Sequence, residues 1–476
     1  MPLRVFAEGK KAHTLAFQVQ TLTLCRLQVV WSVVLSNGTA YLLTLGMPSH
    51  VTAITWMAGP LCGTFVQPYM GTLSDKFGSR YGRRRPFIML GAIGTVLSIF
   101  FLACVEQLVS SLNIFLDDNA ERLATCTAAF FLIWSLSFWI QPLQVGVRAL
   151  IVDLFPKDQQ PQASACASYW VGCGNLIGAA SGFVSLPDTL GLVRWTQFQC
   201  LCLIATVALT STVIVGCLAC QETPAQAEVT RGRHVSAGLF QVLKRVRTTS
   251  YHLNDVMRHV MLIQFFSWMA WFPFLYYGSS YIANLFAHQE MLSNGNSAYH
   301  AVQQTATRFG TLSFFSLSCS MLLTSIILHA CLAQTQRRIA SIWIASQILY
   351  AMALLSTYFI ATWRASLIIT FYVGISFSVT QFAPFAILGQ ECVSMKDLDG
   401  EALKTGTVMG LHNVAISLAQ LISAGVCFPI FLVFKSWGLD GSLAFVIRLG
   451  AVPALAAAWQ LRKLQRTLEK QRATAI

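Results

Sequence analysis

Long apolar stretches, broken by short polar segments, are the main pattern along the chain. The first stretch has no Asp, Glu, Lys or Arg from residue 27 to residue 74. One membrane-spanning helix needs about 20 residues, so this stretch is long enough for two helices. We place the turn between them at residues 46–50, where Gly46 and Pro48 interrupt the apolar sequence.

Nine further charge-free stretches follow, and each predicts one more helix. They span residues 86–105, 123–147, 159–187, 195–221, 259–289, 309–336, 339–363, 365–390 and 405–434. A last apolar stretch, 441–461, is interrupted by one charged residue, Arg448. The pattern therefore predicts an all-α membrane protein with twelve transmembrane helices.

The composition argues against other broad classes of protein. Apolar residues make up 55% of the chain and charged residues 11%, with a mean hydropathy of +0.59. Soluble domains contain about 25% charged residues, so this chain lacks the charge that a soluble surface needs. The nine histidines show no spacing typical of a metal or catalytic site, so we predict no enzyme activity, no metal and no cofactor.

Basic residues are distributed unevenly among the predicted loops. The two tails and the loops that follow even-numbered helices hold 24 of the 32 Lys and Arg residues, whereas the opposite loops hold five. Positively charged loops stay in the cytoplasm, so we expect both termini there. The same rule accounts for the net charge of +13, and we predict no nucleic-acid partner.

The longest internal polar segment divides the predicted helices into six and six. We therefore predict two six-helix bundles with a linker and two short tails. In chain order these are a cytoplasmic N-tail (1–17), an N-terminal bundle (18–219), a cytoplasmic linker (220–258), a C-terminal bundle (259–461) and a basic cytoplasmic C-tail (462–476).

The loop between the second and third helices carries a recognisable motif. Residues 71–80 read GTLSDKFGSR and resemble the signature loop of the major facilitator superfamily, G-x-x-x-D-[RK]-x-G-x-[RK]. The resemblance implies a gating role for six residues: Gly71, Asp75, Arg80, Arg83, Arg84 and Arg85. The alternative is a cluster that only retains the loop in the cytoplasm.

Simple physical reasons support the gating interpretation of this loop. A glycine at position 71 lets a neighbouring helix approach closely. Asp75 can cap the positively charged N-terminal end of that helix. The arginines can pair with acidic helix ends, and such contacts favour one conformational state over another.

Flanking sequences resemble a narrower family, the sucrose–proton symporters within the glycoside–pentoside–hexuronide cation symporters, and are most similar to fungal members. The shared stretches are QVVW (28–31), LGMP (45–48), GRRRPFI (82–88), RALIVD (148–153), QFFSWMAWFPF (264–274), APFA (383–386) and GLHN (410–413). The resemblance implies the major facilitator fold and import of sucrose, maltose or related α-glucosides with protons. It also implies a chain that works as a monomer in the plasma membrane or, alternatively, the vacuolar membrane.

Polar and aromatic residues within the predicted helices are candidates for sugar binding. Sugars are held by hydrogen-bonding side chains and by aromatic faces that contact their C–H surfaces. The candidates are Gln28, Trp31, Tyr41, Gln144, Asn175, Gln264, Trp268 and Asn413. Each could instead join neighbouring helices or anchor its helix at the membrane interface.

Ionisable residues near the membrane are candidates for transport and coupling, because charges at that depth are costly. Those candidates are Arg148, Asp153, Arg308 and Glu391. Two carboxylates that the family usually carries are missing, since Val34 and Ser137 occupy their positions. Three alternatives stay open: a symporter that uses Asp153, Glu391 or His412, an uncoupled facilitator, or a membrane sugar sensor without transport.

Overall fold

The computed structural model describes residues 10–79, 81–112, 117–184, 186–192, 194–219, 248, 250–251, 253–294, 299–330, 336–394 and 405–474. Within these ranges the chain is helical and contains no β-strand. The helices of its first half are α1 (Lys10–Thr44), α2 (Ser49–Trp56), α3 (Ala58–Lys76), α4 (Arg85–Ala103), α5 (Val105–Leu112), α6 (Asp118–Leu154), α7 (Gln160–Phe183), α8 (Leu186–Thr189) and α9 (Gln197–Ala219).

The second half contributes seven longer or paired helices. They are α10 (Asp255–Asn294), α11 (Tyr299–Ala330), α12 (Gln336–Ser356), α13 (Trp363–Ser394), α14 (Thr405–Ser436), α15 (Ser442–Leu449) and α16 (Ala451–Thr474). The predicted linker lies outside the described residues from 220 to 247.

Every predicted span coincides with helical structure. The second span is divided into α2 and α3, and the twelfth is divided into α15 and α16. Among the described residues, eight helical segments are long and apolar enough to cross a membrane: α4, α6, α10 to α14 and the α15–α16 segment. The prediction of an all-helical membrane protein is confirmed.

Local sequence explains where several helices begin and end. The Asp117 carboxylate accepts a hydrogen bond from the Ala120 amide at 2.9 Å and caps the start of α6. Gly46 adopts a φ of +86° in the turn after α1, a conformation that glycine adopts without strain. Pro86 lies in the first turn of α4, where its missing N–H leaves no helical bond unmade.

The helices pack into two compact units. The first unit contains residues 1–156, 184–252 and 395–417. In it α6 packs against α3 and α4, while α9 packs against α1 and α4. The first unit also contains the beginning of α14, and its candidate site lies there.

The second unit contains residues 157–183, 253–394 and 418–476. Here α7 packs against α11 and α13, and α16 packs against α10 and α12. The division into bundles 18–219 and 259–461 stays a prediction, because it concerns the bodies that move rather than the helices that pack.

Helix α16 continues beyond the predicted end of the twelfth span at residue 461. It reaches Thr474, so most of the predicted C-tail is helical. Leu461, Leu464 and Leu468 are buried along one side of this extension. Their spacing of three and four residues is that of an amphipathic helix.

Candidate functional site

Asp75 is in the last turn of α3 and lies against the first turn of α14. Its Oδ1 accepts from the Gly406 amide at 2.9 Å, and its Oδ2 accepts from the Thr407 amide and the Thr407 hydroxyl, both at 2.7 Å. The first amides of a helix have no partner within the helix, and that end carries partial positive charge. The Asp75 side chain is fully buried, so it satisfies these amides without competition from water.

Two glycines allow α3 and α14 to come this close. A Cβ atom on Gly71 would lie 2.2 Å from the Gly406 carbonyl oxygen, and one on Gly406 would lie 2.5 Å from the Gly71 carbonyl oxygen. Real Cβ atoms do not approach backbone atoms so closely, so alanine at either position requires the helices to move apart. The motif glycine therefore brings Asp75 within hydrogen-bonding distance of the amides of α14.

Arg84 joins the same cluster from the start of α4. Its Nη2 lies 2.6 Å from Asp75 Oδ1, its Nε donates to Asp153 Oδ2 at 2.9 Å, and its Nη1 donates to the Ser74 hydroxyl at 2.6 Å. The side chain is 1% exposed. We call Asp75, Arg84, Asp153 and the first turn of α14 the Asp75 latch.

Charge balance within the Asp75 latch keeps its arginine ionised. Burial by itself lowers the pKa of the Arg84 guanidinium, but the carboxylates of Asp75 and Asp153 outweigh burial and raise that pKa above its usual value. Arg84 therefore stays positively charged throughout the physiological range.

The other gating candidates occupy more peripheral positions. Arg83 is 40% exposed and donates to Asp153 at 2.9 Å. Arg85 is half-buried at the first position of α4. Arg80 lies outside the described residues. The gating role of these six residues stays a prediction. The contacts of Asp75 and Arg84 define the part of the set that joins α3, α4 and α14.

Glu391 lies near the end of α13 in a neutral polar pocket. It is 8% exposed. Its Oε2 accepts from Asn254 Nδ2 at 2.5 Å, and its Oε1 accepts from Gln336 Nε2 at 2.8 Å. Asn254 also caps α10, since its Oδ1 accepts from the Met257 amide at 2.8 Å. Among the described residues, no basic side chain forms a salt bridge with Glu391.

The remaining ionisable candidates are placed differently from one another. Arg148 is half-buried on α6, and it interacts electrostatically with His412 of α14, which is 1% exposed. Arg308 is exposed near the start of α11. Val34 and Ser137, at the two positions where the family usually has a carboxylate, are both buried.

In the first unit, the sugar-binding candidates differ in their side-chain contacts and burial. The Tyr41 hydroxyl donates to the Leu102 carbonyl at 3.0 Å, and its ring stacks on Phe198 at 4.1 Å. Asn413 Nδ2 donates to the Gly63 carbonyl at 3.2 Å. These two residues thus join helices, whereas the side chains of Gln28, Trp31 and Gln144 are half-buried.

In the second unit, the two tryptophans of the WMAWFPF stretch differ. Trp271 is fully buried and stacks on Tyr350 with ring centroids 3.8 Å apart. Trp268 is half-buried. The indole N–H groups of both tryptophans are buried and have no hydrogen-bond partner among the described residues. Gln264 is 1% exposed, and Asn175 Nδ2 lies 3.4 Å from Met321 Sδ.

Sequence reasoning missed the partners of both carboxylate clusters. Gly406 and Thr407 are more than 300 residues from Asp75, and no local pattern in the sequence singles them out. Asn254 lies in the predicted linker and Gln336 is the last residue of the stretch 309–336, and these positions gave no reason to pair them with Glu391. The boundary between Lys404 and the apolar stretch that follows is the one signal that placed a helix start near Gly406.

Comparisons with known proteins agree with this architecture. A sequence profile of the Major Facilitator Superfamily matches residues 20–424. The general alpha-glucoside permease of Schizosaccharomyces pombe is 26% identical, over 93% of this chain and 92% of the permease. The sucrose transport protein SUT3 of Oryza sativa subsp. japonica is 26% identical over 84% of each chain. SUC4 of Arabidopsis thaliana is 25% identical over 84% of this chain and 80% of its own.

Solved structures share the fold at low sequence identity. The transporter FucP in its outward conformation superposes with a TM-score of 0.59 and 13% identity, covering 94% of this chain and 99% of FucP. The human organic anion transporter MFSD10 gives a TM-score of 0.58 with 15% identity, covering 95% of this chain and all of MFSD10. At such identities the similarity concerns the fold alone.

Proposed function

Because the chain belongs to the Major Facilitator Superfamily, we propose that it is a secondary transporter that imports sucrose, maltose or related α-glucosides by alternating access. It is an integral, multi-pass membrane protein of a family of transporters rather than enzymes. The observation that carries the proposal is the similarity to an alpha-glucoside permease over nearly the whole of both chains. The sucrose transport proteins of two plants support the same substrate class.

The Asp75 latch supplies the conformational control that such a transporter needs. In the predicted six-plus-six division, α3 and α14 fall in different bundles. A carboxylate that holds two amides and a hydroxyl of α14 therefore favours the state in which these helix ends are together. Sugar release at these helix ends requires the three hydrogen bonds between Asp75 and α14 to break. Arg84 holds the Asp75 side chain in position, so the same hydrogen bonds can form again.

A smaller set of residues is proposed to contact the sugar. Their side chains are half-buried: Gln28, Trp31, Gln144 and Trp268. Aromatic rings suit the C–H faces of a disaccharide, and amide groups suit its hydroxyls. Arg148 lies within α6, a helix long and apolar enough to span the membrane. A charged side chain there is costly, so its presence indicates a functional role.

Proton coupling is proposed to involve Glu391. Asp153 is engaged by Arg83 and Arg84, so its protonation breaks two ion pairs. Glu391 is held by two neutral amides, and its protonation breaks no salt bridge among the described residues. His412 is a second candidate because it is buried beside Arg148.

The proposed membrane follows from the family resemblance, and the proposed orientation follows from the basic loops. We propose the plasma membrane, with the vacuolar membrane as an alternative, and cytoplasmic termini on the basis of the basic loops. The transporter is proposed to act as a monomer, with the sugar, protons and the lipid bilayer as its partners. An uncoupled facilitator is the second candidate function, favoured by Val34 and Ser137 at the usual carboxylate positions.

Uptake of labelled sucrose and maltose in transporter-deficient cells tests the proposal. Uptake that increases at acidic external pH and is abolished by a protonophore supports a symporter. Uptake that responds to neither supports a facilitator. Absence of uptake of both sugars, with the protein present at the cell surface, contradicts the proposed substrate class.

A further inference from the structure

A groove lies between the first half of α12 and the extension of α16. Basic residues lie in both of these segments. The volume of the groove is about 500 Å3. The start of α12 contributes Ser341, Ile344 and Ile348, and the extension of α16 contributes Arg462, Arg466 and Glu469. Both helices belong to the second unit, and no proposed substrate or coupling residue lines the groove.

Two positive charges in the groove are not balanced by the protein. Arg462 and Arg466 are exposed, and neither forms a salt bridge with an acidic residue in the part of the chain that the structure describes. The negative charge of Glu469 is balanced by a residue outside the groove, because Arg337 Nη2 lies 2.9 Å from Glu469 Oε1. The groove therefore has a net positive charge that favours an anion.

The polarity of the groove changes along its length. Near its polar end, Gln465 donates to the Ser341 hydroxyl at 3.4 Å. One and two turns further along α12, Ile344 and Ile348 form an apolar wall within a helix long and apolar enough to span the membrane. An anion-binding end next to an apolar wall matches an amphipathic ligand better than a soluble anion.

Aromatic and basic residues of α16 place the groove at the membrane surface. Trp459 is 57% exposed, and the Lys463 ammonium lies 3.5 Å from the centre of its ring. Tryptophan and lysine together are typical of the interface between hydrocarbon and headgroups. The arginines are therefore at headgroup level, and the two isoleucines are beside acyl chains.

We propose that this groove binds an anionic glycerophospholipid, with its phosphate between Arg462 and Arg466 and an acyl chain along Ile344 and Ile348. Basic pockets between transmembrane helices bind such headgroups through charge-assisted hydrogen bonds. The lipid would hold the extension of α16 against α12. This site is independent of the proposed transport function, because it requires no sugar and no movement of the Asp75 latch.

Lipid retention by the purified full-length chain tests the proposal. The protein is exchanged into nanodiscs of phosphatidylcholine with a small fraction of phosphatidylserine, and the bound lipid is counted by native mass spectrometry after release. We expect the double substitution Arg462→Gln and Arg466→Gln to reduce retained phosphatidylserine about tenfold or more. Ala345 of α12 also lines the groove. Ala345→Phe narrows the apolar part of the groove without changing its charge, and we expect a comparable loss.

A matched variant distinguishes a site from general surface charge. Arg338→Gln with Lys157→Gln removes two positive charges from exposed residues outside the lining of the groove, so retention should stay within about twofold of the unsubstituted chain. Equal loss in both double variants, or no loss with Ala345→Phe, would overturn the proposal. Displacement of the lipid by millimolar inorganic phosphate would also overturn it, because the acyl chain would then contribute nothing.

Discussion

At residue 71, the absence of one carbon atom decides how closely two helices approach. A Cβ there would lie 2.2 Å from the carbonyl oxygen of Gly406, and Asp75 would then lose its hydrogen bonds to α14. The sequence motif predicted the need for a small residue at this position. It could not identify Gly406, because the two glycines are distant in sequence and share no pattern.

Replacing Gly71 by alanine tests this close approach. Because the backbone of α14 has to move, we expect Gly71→Ala to destabilise the protein by about 1–3 kcal/mol. Thermal unfolding of the purified protein in detergent measures the effect. Gly78 is the matched control, since a Cβ there has no neighbour within 4 Å. A similar loss in Gly78→Ala would show that the close approach is not the cause.

The two tryptophans of α10 give a second prediction at this scale. Trp271 is fully buried against Tyr350, so Trp271→Ala should cost about 3–5 kcal/mol of stability. Trp268 is half-buried and is proposed to contact the sugar, so Trp268→Ala should reduce sugar uptake with less effect on unfolding. Thermal unfolding and uptake measured on both variants would contradict this assignment if the two effects were exchanged.

Helices were predictable from the sequence because charged residues are excluded from the hydrocarbon core and mark the ends of each span. The predicted spans all coincide with helices for this reason. The extension of α16 was not predicted, although Leu461, Leu464 and Leu468 have helical spacing. The last apolar stretch ends before Arg462. An amphipathic helix outside the membrane carries charged residues on its exposed side, so a pattern of charge-free stretches does not reveal it.

The contact between α3 and α14 depends on the charge of Asp75. Asp75→Asn leaves buried Arg84 with one carboxylate partner, so we expect a loss of about 3–5 kcal/mol in stability. Asp75→Glu retains the charge and should lose less. Asp158, an exposed residue of a short 3-10 helix (Lys157–Gln159), is the control, and Asp158→Asn should change stability by less than about 0.5 kcal/mol. Equal unfolding temperatures for Asp75→Asn and Asp158→Asn would contradict the latch.

The pH response of the whole molecule does not come from Arg84. A basic group with a raised pKa contributes its stability below its ordinary pKa and loses it only as the pH rises through the raised value, which for Arg84 lies above the usual pKa of a guanidinium. The Arg84 charge therefore stays constant under physiological conditions. Any stimulation of uptake by acid has to come from another group, and Glu391 is the proposed one.

Substituting Glu391 tests coupling across the whole molecule. Glu391→Gln retains hydrogen-bonding capacity but cannot release or bind a proton. We expect sugar exchange across the membrane to persist, whereas uptake should lose its sensitivity to external acid and to a protonophore. His412→Gln serves as the comparison. Loss of both responses in His412→Gln, with Glu391→Gln unchanged, would move the coupling role to His412.

Counterflow in liposomes tests the central claim, that this chain moves α-glucosides across a membrane. Purified protein is reconstituted in vesicles filled with unlabelled maltose or sucrose and diluted into a trace of the labelled sugar. We expect a transient accumulation of label above that of protein-free vesicles, with or without a proton gradient, and a smaller one for Trp268→Ala. No accumulation of either sugar by folded, correctly inserted protein would contradict it.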